Sequence, residues 1–218
     1  VSKSIAVRRC EYVYKNKEDK TSVKIYYPQI DGLKNIDIQT KVNTLLKDGA
    51  LNDYTNYWNM EGLMLEIDYD LAYMNGYYIS VKFNGIGESG SYPTSLGYAT
   101  NINLSTEDKI SLEELLDVDG LLSVLSIGKV YLEAKNDYIL EEYTFEELAE
   151  RYKHLGMSEL ELPRYSTFYF TANRLGIYIY FPHVLGDYRS FEIDFNEINS
   201  DIRNENFFWK SVSGTGND

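Results

Sequence analysis

The chain has 218 residues, 44% hydrophobic and 25% charged, with 34 acidic against 21 basic side chains and a formal net charge of −13. That composition excludes global disorder, and no run approaches the roughly 18–20 apolar residues of a transmembrane helix. A single cysteine, Cys10, excludes an intramolecular disulfide and a cysteine-based zinc knuckle, and the acidity opposes nucleic acid and anionic membrane while favouring cationic partners.

Ile5 to Tyr14 is β-rich. After the charged turn Lys15 to Lys20, Val23-Lys24-Ile25-Tyr26-Tyr27 forms the second arm of a hairpin that Pro28 is expected to stop. Ile38, Val42, Leu45 and Leu46 recur at i, i+4, i+7 and i+8, which is one face of a helix from about Asn35 to Leu46. Gly49 is its expected stop, with a resumption through Asn52 to Trp58. Leu65, Ile67, Tyr69 and Leu71 alternate with Glu66, Asp68 and Asp70, a strand with one wet face. Asn75-Gly76 reads as a two-residue hairpin turn, and Tyr77, Ile79, Val81 and Phe83 alternate beyond it. A loop from Asn84 to Ser95 leads to a third alternating strand, Leu96 to Leu104, completing an antiparallel meander.

Ser111-Leu112-Glu113-Glu114 is a capping box that opens a short helix. Gly120 to Val130 reads as a buried helix, and Thr144-Phe145-Glu146-Glu147 opens another that ends near Gly156. Phe168 to Phe170 and Leu175 to Phe181 form a hairpin, and Phe191, Ile193 and Phe195 a last strand. The Ser/Gly/Asn-rich end reads as a flexible tail. Strand groups alternate with helix groups, so the fold class is α+β: an antiparallel sheet of meander and hairpins packed with a few helices. The expected organisation is an N-terminal module over 1–105, a C-terminal module over 106–200 sharing one compact fold, and a tail over 201–218.

Literal motif matches fail on context. Gly85-Ile86-Gly87-Glu88-Ser89-Gly90 fits G-x-G-x-x-G, but no helix opens at the third glycine, and Glu88 would oppose a pyrophosphate. The same loop lacks the strand-to-helix turn of a serine-hydrolase elbow at Ser89. Asp117-Val118-Asp119-Gly120 has neither the glycine nor the glutamate register of a calcium loop. No motif calls for a cofactor or metal. His154 falls in the last turn of a helix, where a cation is favoured, whereas His183 follows Phe181-Pro182 at a strand end.

Val23 to Leu33, followed by a helix carrying Val42-Asn43-Thr44-Leu45-Leu46, resembles the opening of the extracytoplasmic domains of RsiV-type anti-sigma factors and PdaC-type peptidoglycan deacetylases. Ile110 to Leu116, the hairpin Phe168 to Phe181 and the strand Phe191 to Ile198 resemble later passages of that family in order and spacing. The family's histidine-bearing passage in the meander loop is replaced by Ser91-Tyr92-Pro93-Thr94-Ser95. The resemblance implies an exported domain at the surface of a Gram-positive-type bacterium, anchored upstream by a lipid or transmembrane segment. It also implies a non-catalytic binding or sensor role, because the metal-binding pattern of the deacetylase domain has no counterpart here.

The expected ligand is a basic protein such as lysozyme, whose capture an acidic surface would speed, or a cell-wall glycan. Two strand-joining loops are the expected site, contributing Glu88, Tyr92, Pro93 and Ser95 from one and His183, Asp187 and Tyr188 from the other. Two alternatives stand beside it: a glycan-acting enzyme using carboxylates among Glu61, Glu66, Asp68 and Asp70, and a structural spacer of an envelope protein.

Overall fold

The computed structural model describes residues 5–56, 60–90, 92–117, 131–132, 168–180, 183, 187–198 and 203–212. The helices expected over 120–130 and 144–156, with His154, lie outside them. The described strands form two sheets. The first has the order β1-β2-β3-β4-β5-β6, from β1 (Ala6–Asn16), β2 (Thr21–Asp31), β3 (Met64–Met74), β4 (Tyr78–Glu88), β5 (Pro93–Asn103) and β6 (Asp108–Lys109). The second has the order β7-β10-β9-β8, from β7 (Tyr131–Leu132), β8 (Phe168–Phe170), β9 (Arg174–Tyr180) and β10 (Tyr188–Asp194). The first sheet thus runs four residues past 105. With α1 (Ile36–Ala50), α2 (Asn52–Asn56), α3 (Leu112–Leu115) and α4 (Phe207–Val212), the fold is α+β.

One pairing makes the first sheet mixed. β2 and β3 are parallel over Ser22–Ile25, and the other ladders are antiparallel. A parallel neighbour needs a crossover, and α1 and α2 supply it. Because that pairing ends at Ile25, the edge of β2 beyond it is free for α1. The Asn43 side chain accepts from the Ile30 N–H at 2.7 Å and donates to the Ile30 carbonyl at 2.9 Å. Gln39 Oε1 accepts from the N–H groups of Gly32 and Leu33. Pro28 therefore does not stop the strand. It pairs with Arg9 across from β1 while its missing N–H faces an edge with no β3 ladder to join.

Helix α1 begins where Asn35 caps the N–H groups of Asp37 and Ile38. It does not stop at Gly49. That glycine faces the sheet so closely that a Cβ would lie 2.0 Å from Thr100 Oγ1, which lets the helix lie flat through Ala50. The Tyr98 hydroxyl then donates to the Ala50 carbonyl, one of the orphan acceptors of the last turn. Val42 and Leu46 are fully buried against Val23, Ile25, Ile67 and Val81, each contributing about 1.5–3 kcal/mol of transfer free energy.

The second sheet covers part of the opposite face, so residues 78–83 of β4 are buried on both sides. Ser80, Asn101 and β8 form a closed polar network there. Ser80 Oγ donates to Asn101 Oδ1 at 2.7 Å, Asn101 Nδ2 donates to the Phe168 carbonyl at 2.7 Å, and the Phe170 N–H donates to Ser80 Oγ at 3.0 Å. The stretch expected to be a flexible tail instead carries α4. Phe208 is 1% exposed and edges onto Phe170 and Tyr78. Trp209 Nε1 donates to the Leu115 carbonyl, and Asn204 and Asn206 donate to the carbonyls of Glu113 and Glu114. These bonds satisfy the acceptors that the short α3 leaves open, while the expected capping box of Ser111 and Glu114 holds its start.

Candidate functional site

The loop expected over 84–95 is mostly ladder. β4 continues through Glu88, which pairs with Pro93 at the start of β5, leaving only residues 89–92 as the turn. Gly85 and Gly87 are strand residues, and Gly90 alone among the loop's glycines has positive φ, at +123°. Ser89 Oγ donates to Met60 Sδ at 3.0 Å, which draws the turn toward the start of β3. Ser91, Pro182 and residues 184–186 lie outside the described residues.

The two expected loops meet. The Ser95 N–H donates to Asp187 Oδ2 at 2.7 Å. Asp187 Oδ1 lies 2.8 Å from His183 Nδ1. An ionised carboxylate only accepts, so Nδ1 carries the proton in this contact. The His183 ring lies 5.8 Å from the Tyr92 ring, tilted by 49°. Asp187 adopts φ +68°, a conformation that Asp tolerates better than most residues, and its side chain is 10% exposed. Tyr92 is 73% exposed. The result is a rim with a buried carboxylate at its root and an imidazole and a phenol at its lip.

Tyr188 does not reach the lip. Its ring lies over Gly97, where a Cβ would come within 2.2 Å of Tyr188 Cε2. Its hydroxyl donates to Asn84 Oδ1 at 3.2 Å, and Tyr178 meets it edge-on at 5.6 Å. Tyr188 therefore anchors the second sheet to the first, one residue after Asp187. Glu88 and Pro93 form the base of the turn.

On the face that the second sheet covers over β4 and β5, the part left open over β1–β3 carries Glu66, Asp68 and Asp70 together, as their alternation predicts. Asp68 is held by a fork from Arg9, with Nη2 to Oδ2 at 2.8 Å and Nη1 to Oδ1 at 2.8 Å. The Arg9 guanidinium also lies 3.8 Å over the Tyr26 ring. The hydrogen bond from Arg9 holds the Asp68 carboxyl below the usual carboxylate range, so it stays ionised and is unsuited to general-acid chemistry. Glu61 is elsewhere, in a cleft with Asp19. Among the described residues no three His, Cys, Asp or Glu side chains gather as a metal site, and no helix is long and apolar enough to cross a membrane.

Sequence reasoning missed the exposed apolar residues beside the rim. Met64 is 57% and Ile86 56% exposed. Met64 pairs with Glu88, and Ile86 with Glu66 and Ser95. The signal was present: Met64 precedes Glu66, Asp68 and Asp70 in the same alternation, and Ile86 follows Lys82 and Asn84. Assigning residues 84–95 to a loop hid the second of these.

No family model matches the sequence, and no curated protein matches it. Solved structures do. A DUF3298 family protein from Bacteroides fragilis NCTC 9343 matches with a TM-score of 0.60 at 8% identity, covering 96% of this chain and 97% of that one. A DUF3298 family protein from Pseudomonas aeruginosa PAO1 matches with a TM-score of 0.61 at 10% identity, covering 94% and 96%. The chain shares the fold of these DUF3298 family proteins. The likeness runs through both sheets and so through the elements that carry the rim. At this level of identity it speaks for the DUF3298-type fold alone and transfers no residue role.

Proposed function

We propose that this chain is a non-catalytic, extracytoplasmic ligand-binding domain of a bacterial envelope protein, and that it binds through the rim of residues 88–95, His183 and Asp187. The observation that carries this reading is the link from the Ser95 N–H through Asp187 to His183 and on to Tyr92. It holds an exposed aromatic ring and an imidazole together beside the starts of β5 and β10, and holding groups in place before binding lowers the ordering entropy that binding costs. Exposed tyrosine beside exposed Met64 and Ile86 is the mixture found at the centre of protein interfaces.

A basic protein such as lysozyme is the favoured ligand. The net charge of −13 supports this through electrostatic steering, and the RsiV-like segments point the same way. A cell-wall glycan is the other ligand the rim's aromatic and polar groups suit.

The test is titration calorimetry of the chain against a c-type lysozyme at low salt and at ~0.15 M, where exposed charges are screened beyond roughly 8 Å. Saturable binding at both, weakened about tenfold or more by Tyr92→Ala, is the expected result. Binding seen only at low salt, or binding unchanged by Tyr92→Ala, overturns the reading. Saturable binding of soluble peptidoglycan fragments in place of lysozyme assigns the rim to a glycan.

A further inference from the structure

A second feature lies beside the rim and shares only Met60 with its surroundings. A cleft of about 150 Å3 opens between the β1–β2 turn, α2 and the approach to β3. It is lined by Tyr14 and Tyr54, by Asp19 and Glu61, and by the apolar side chains of Met60 and Leu63. Two carboxylates line it, and no lysine or arginine is among its lining residues within the described chain.

The walls are built in place. Asp19 Oδ1 accepts from the Thr21 N–H at 2.9 Å, and Oδ2 accepts from Asn16 Nδ2 at 3.0 Å. Both donors are neutral, so they fix the carboxylate without cancelling its charge. Hydrogen bonding from the Thr21 side chain first, then from its N–H, with a smaller share from Asn16, holds the Asp19 pKa below the ordinary value. Tyr54 is 4% exposed, its ring lies 5.6 Å from that of Tyr12, and burial pushes its hydroxyl up to about 12, which keeps it neutral.

We propose that this cleft binds an alkylammonium group, presented as the lysine side chain of a basic partner protein. Tyrosine faces attract a cation, the two carboxylates complement its charge, and Met60 and Leu63 offer apolar cover for a methylene stem. The volume is of the size that admits a benzene-sized group, which is room enough for the four methylenes and one nitrogen of lysine. The Ser89–Met60 contact joins the cleft to the tip of the rim turn, so one partner surface spans both. The identity of the partner rests on the function proposed above, whereas the ammonium chemistry does not.

The experiment follows amide shifts of the whole chain by NMR during titration with Nα-acetyl-lysine amide and with its uncharged analogue Nα-acetyl-norleucine amide. Saturable shifts at Thr21, Glu61 and Leu63 with the lysine probe alone are expected. Glu61→Gln should weaken that binding roughly threefold or more, while the remote Asp108→Asn leaves it unchanged. Equal shifts with norleucine, no saturable shift with lysine, or no effect of Glu61→Gln overturns the proposal. Glu61→Gln must also weaken lysozyme binding in calorimetry. If it weakens the small probe and leaves lysozyme unaffected, the assigned source is wrong and the cleft serves a free amine. Failure of Tyr92→Ala to alter lysozyme binding, with the lysine probe still discriminating, removes the rim reading and leaves the cleft standing.

Discussion

Ser95 and Asp187 are joined by a 2.7 Å hydrogen bond from the backbone N–H of one to the carboxylate of the other, across 92 residues of chain. Ser95 belongs to β5 in the first sheet, and Asp187 immediately precedes β10 in the second. The bond therefore closes the rim between the two sheets. Replacing Asp187 with alanine removes both of its contacts and places a β-carbon without a polar tip at φ +68°. Amide hydrogen exchange at Ser95 should quicken in Asp187→Ala and stay near wild type in Asp187→Asn, which keeps an acceptor and tolerates that backbone conformation. Equal protection in all three proteins would remove Asp187 as the closing residue.

Gly97 and Tyr188 set the spacing of the sheets at the same place. In Gly97→Ala the new methyl meets the Tyr188 ring at 2.2 Å, so the ring must shift and its bond to Asn84 must lengthen or break. A loss of about 1–3 kcal/mol is expected from such overpacking, measured by urea unfolding. Adding Tyr188→Leu should recover part of it. A Gly97→Ala protein as stable as wild type would show that the ring does not rest there.

The Ser80–Asn101 pair ties β8 to the first sheet in a buried setting. Asn101→Ala leaves the Phe168 carbonyl without that donor, at an expected cost of about 1–3 kcal/mol. The double variant with Ser80→Ala should cost less than the sum of the single changes, because both residues serve one network. Strict additivity in denaturant unfolding would argue against the coupling.

The Arg9–Asp68 fork predicts a pH dependence with a defined sign. Asp68 titrates below its unfolded value, chiefly because Arg9 hydrogen-bonds its ionised form. Its contribution to stability is therefore present above the unfolded carboxylate pKa of about 3.9 and fades as pH falls through the lower folded value. In Arg9→Met the Asp68 carboxyl should titrate nearer the ordinary value by carboxyl NMR, and the variant's stability deficit should vanish at the acid end. Both side chains are about half exposed, at 47% and 56%, so the deficit at neutral pH is expected to be small.

The sequence by itself determined what a few neighbouring residues decide. The alternation of Leu65 and Ile67 with Glu66, Asp68 and Asp70 placed β3 and its wet face. The spacing of Val42 and Leu46 gave the buried side of α1, and Ser111 with Glu114 its capping box. Asn75 closed the β3–β4 hairpin by accepting from the N–H groups of Tyr77 and Tyr78, although with Met74 opposite Ile79 the turn is longer than the expected two residues. Each of these follows from periodicity or from a side chain reaching its own backbone within four residues. Tertiary packing overrode local signals elsewhere. Pro28 lies inside β2 because the partner ladder ends at Ile25, Gly49 lies inside α1 because Thr100 stands against it, and Phe208 holds the C-terminal stretch in a helix by packing against Phe170. The candidate site divides along the same line. The composition of the two loops was legible, but only packing decided that Asp187 binds the N–H of Ser95, that Tyr188 turns inward over Gly97, and that Arg9 neutralises Asp68. Those contacts join residues tens of positions apart, and no local pattern encodes which distant strand end a side chain will meet.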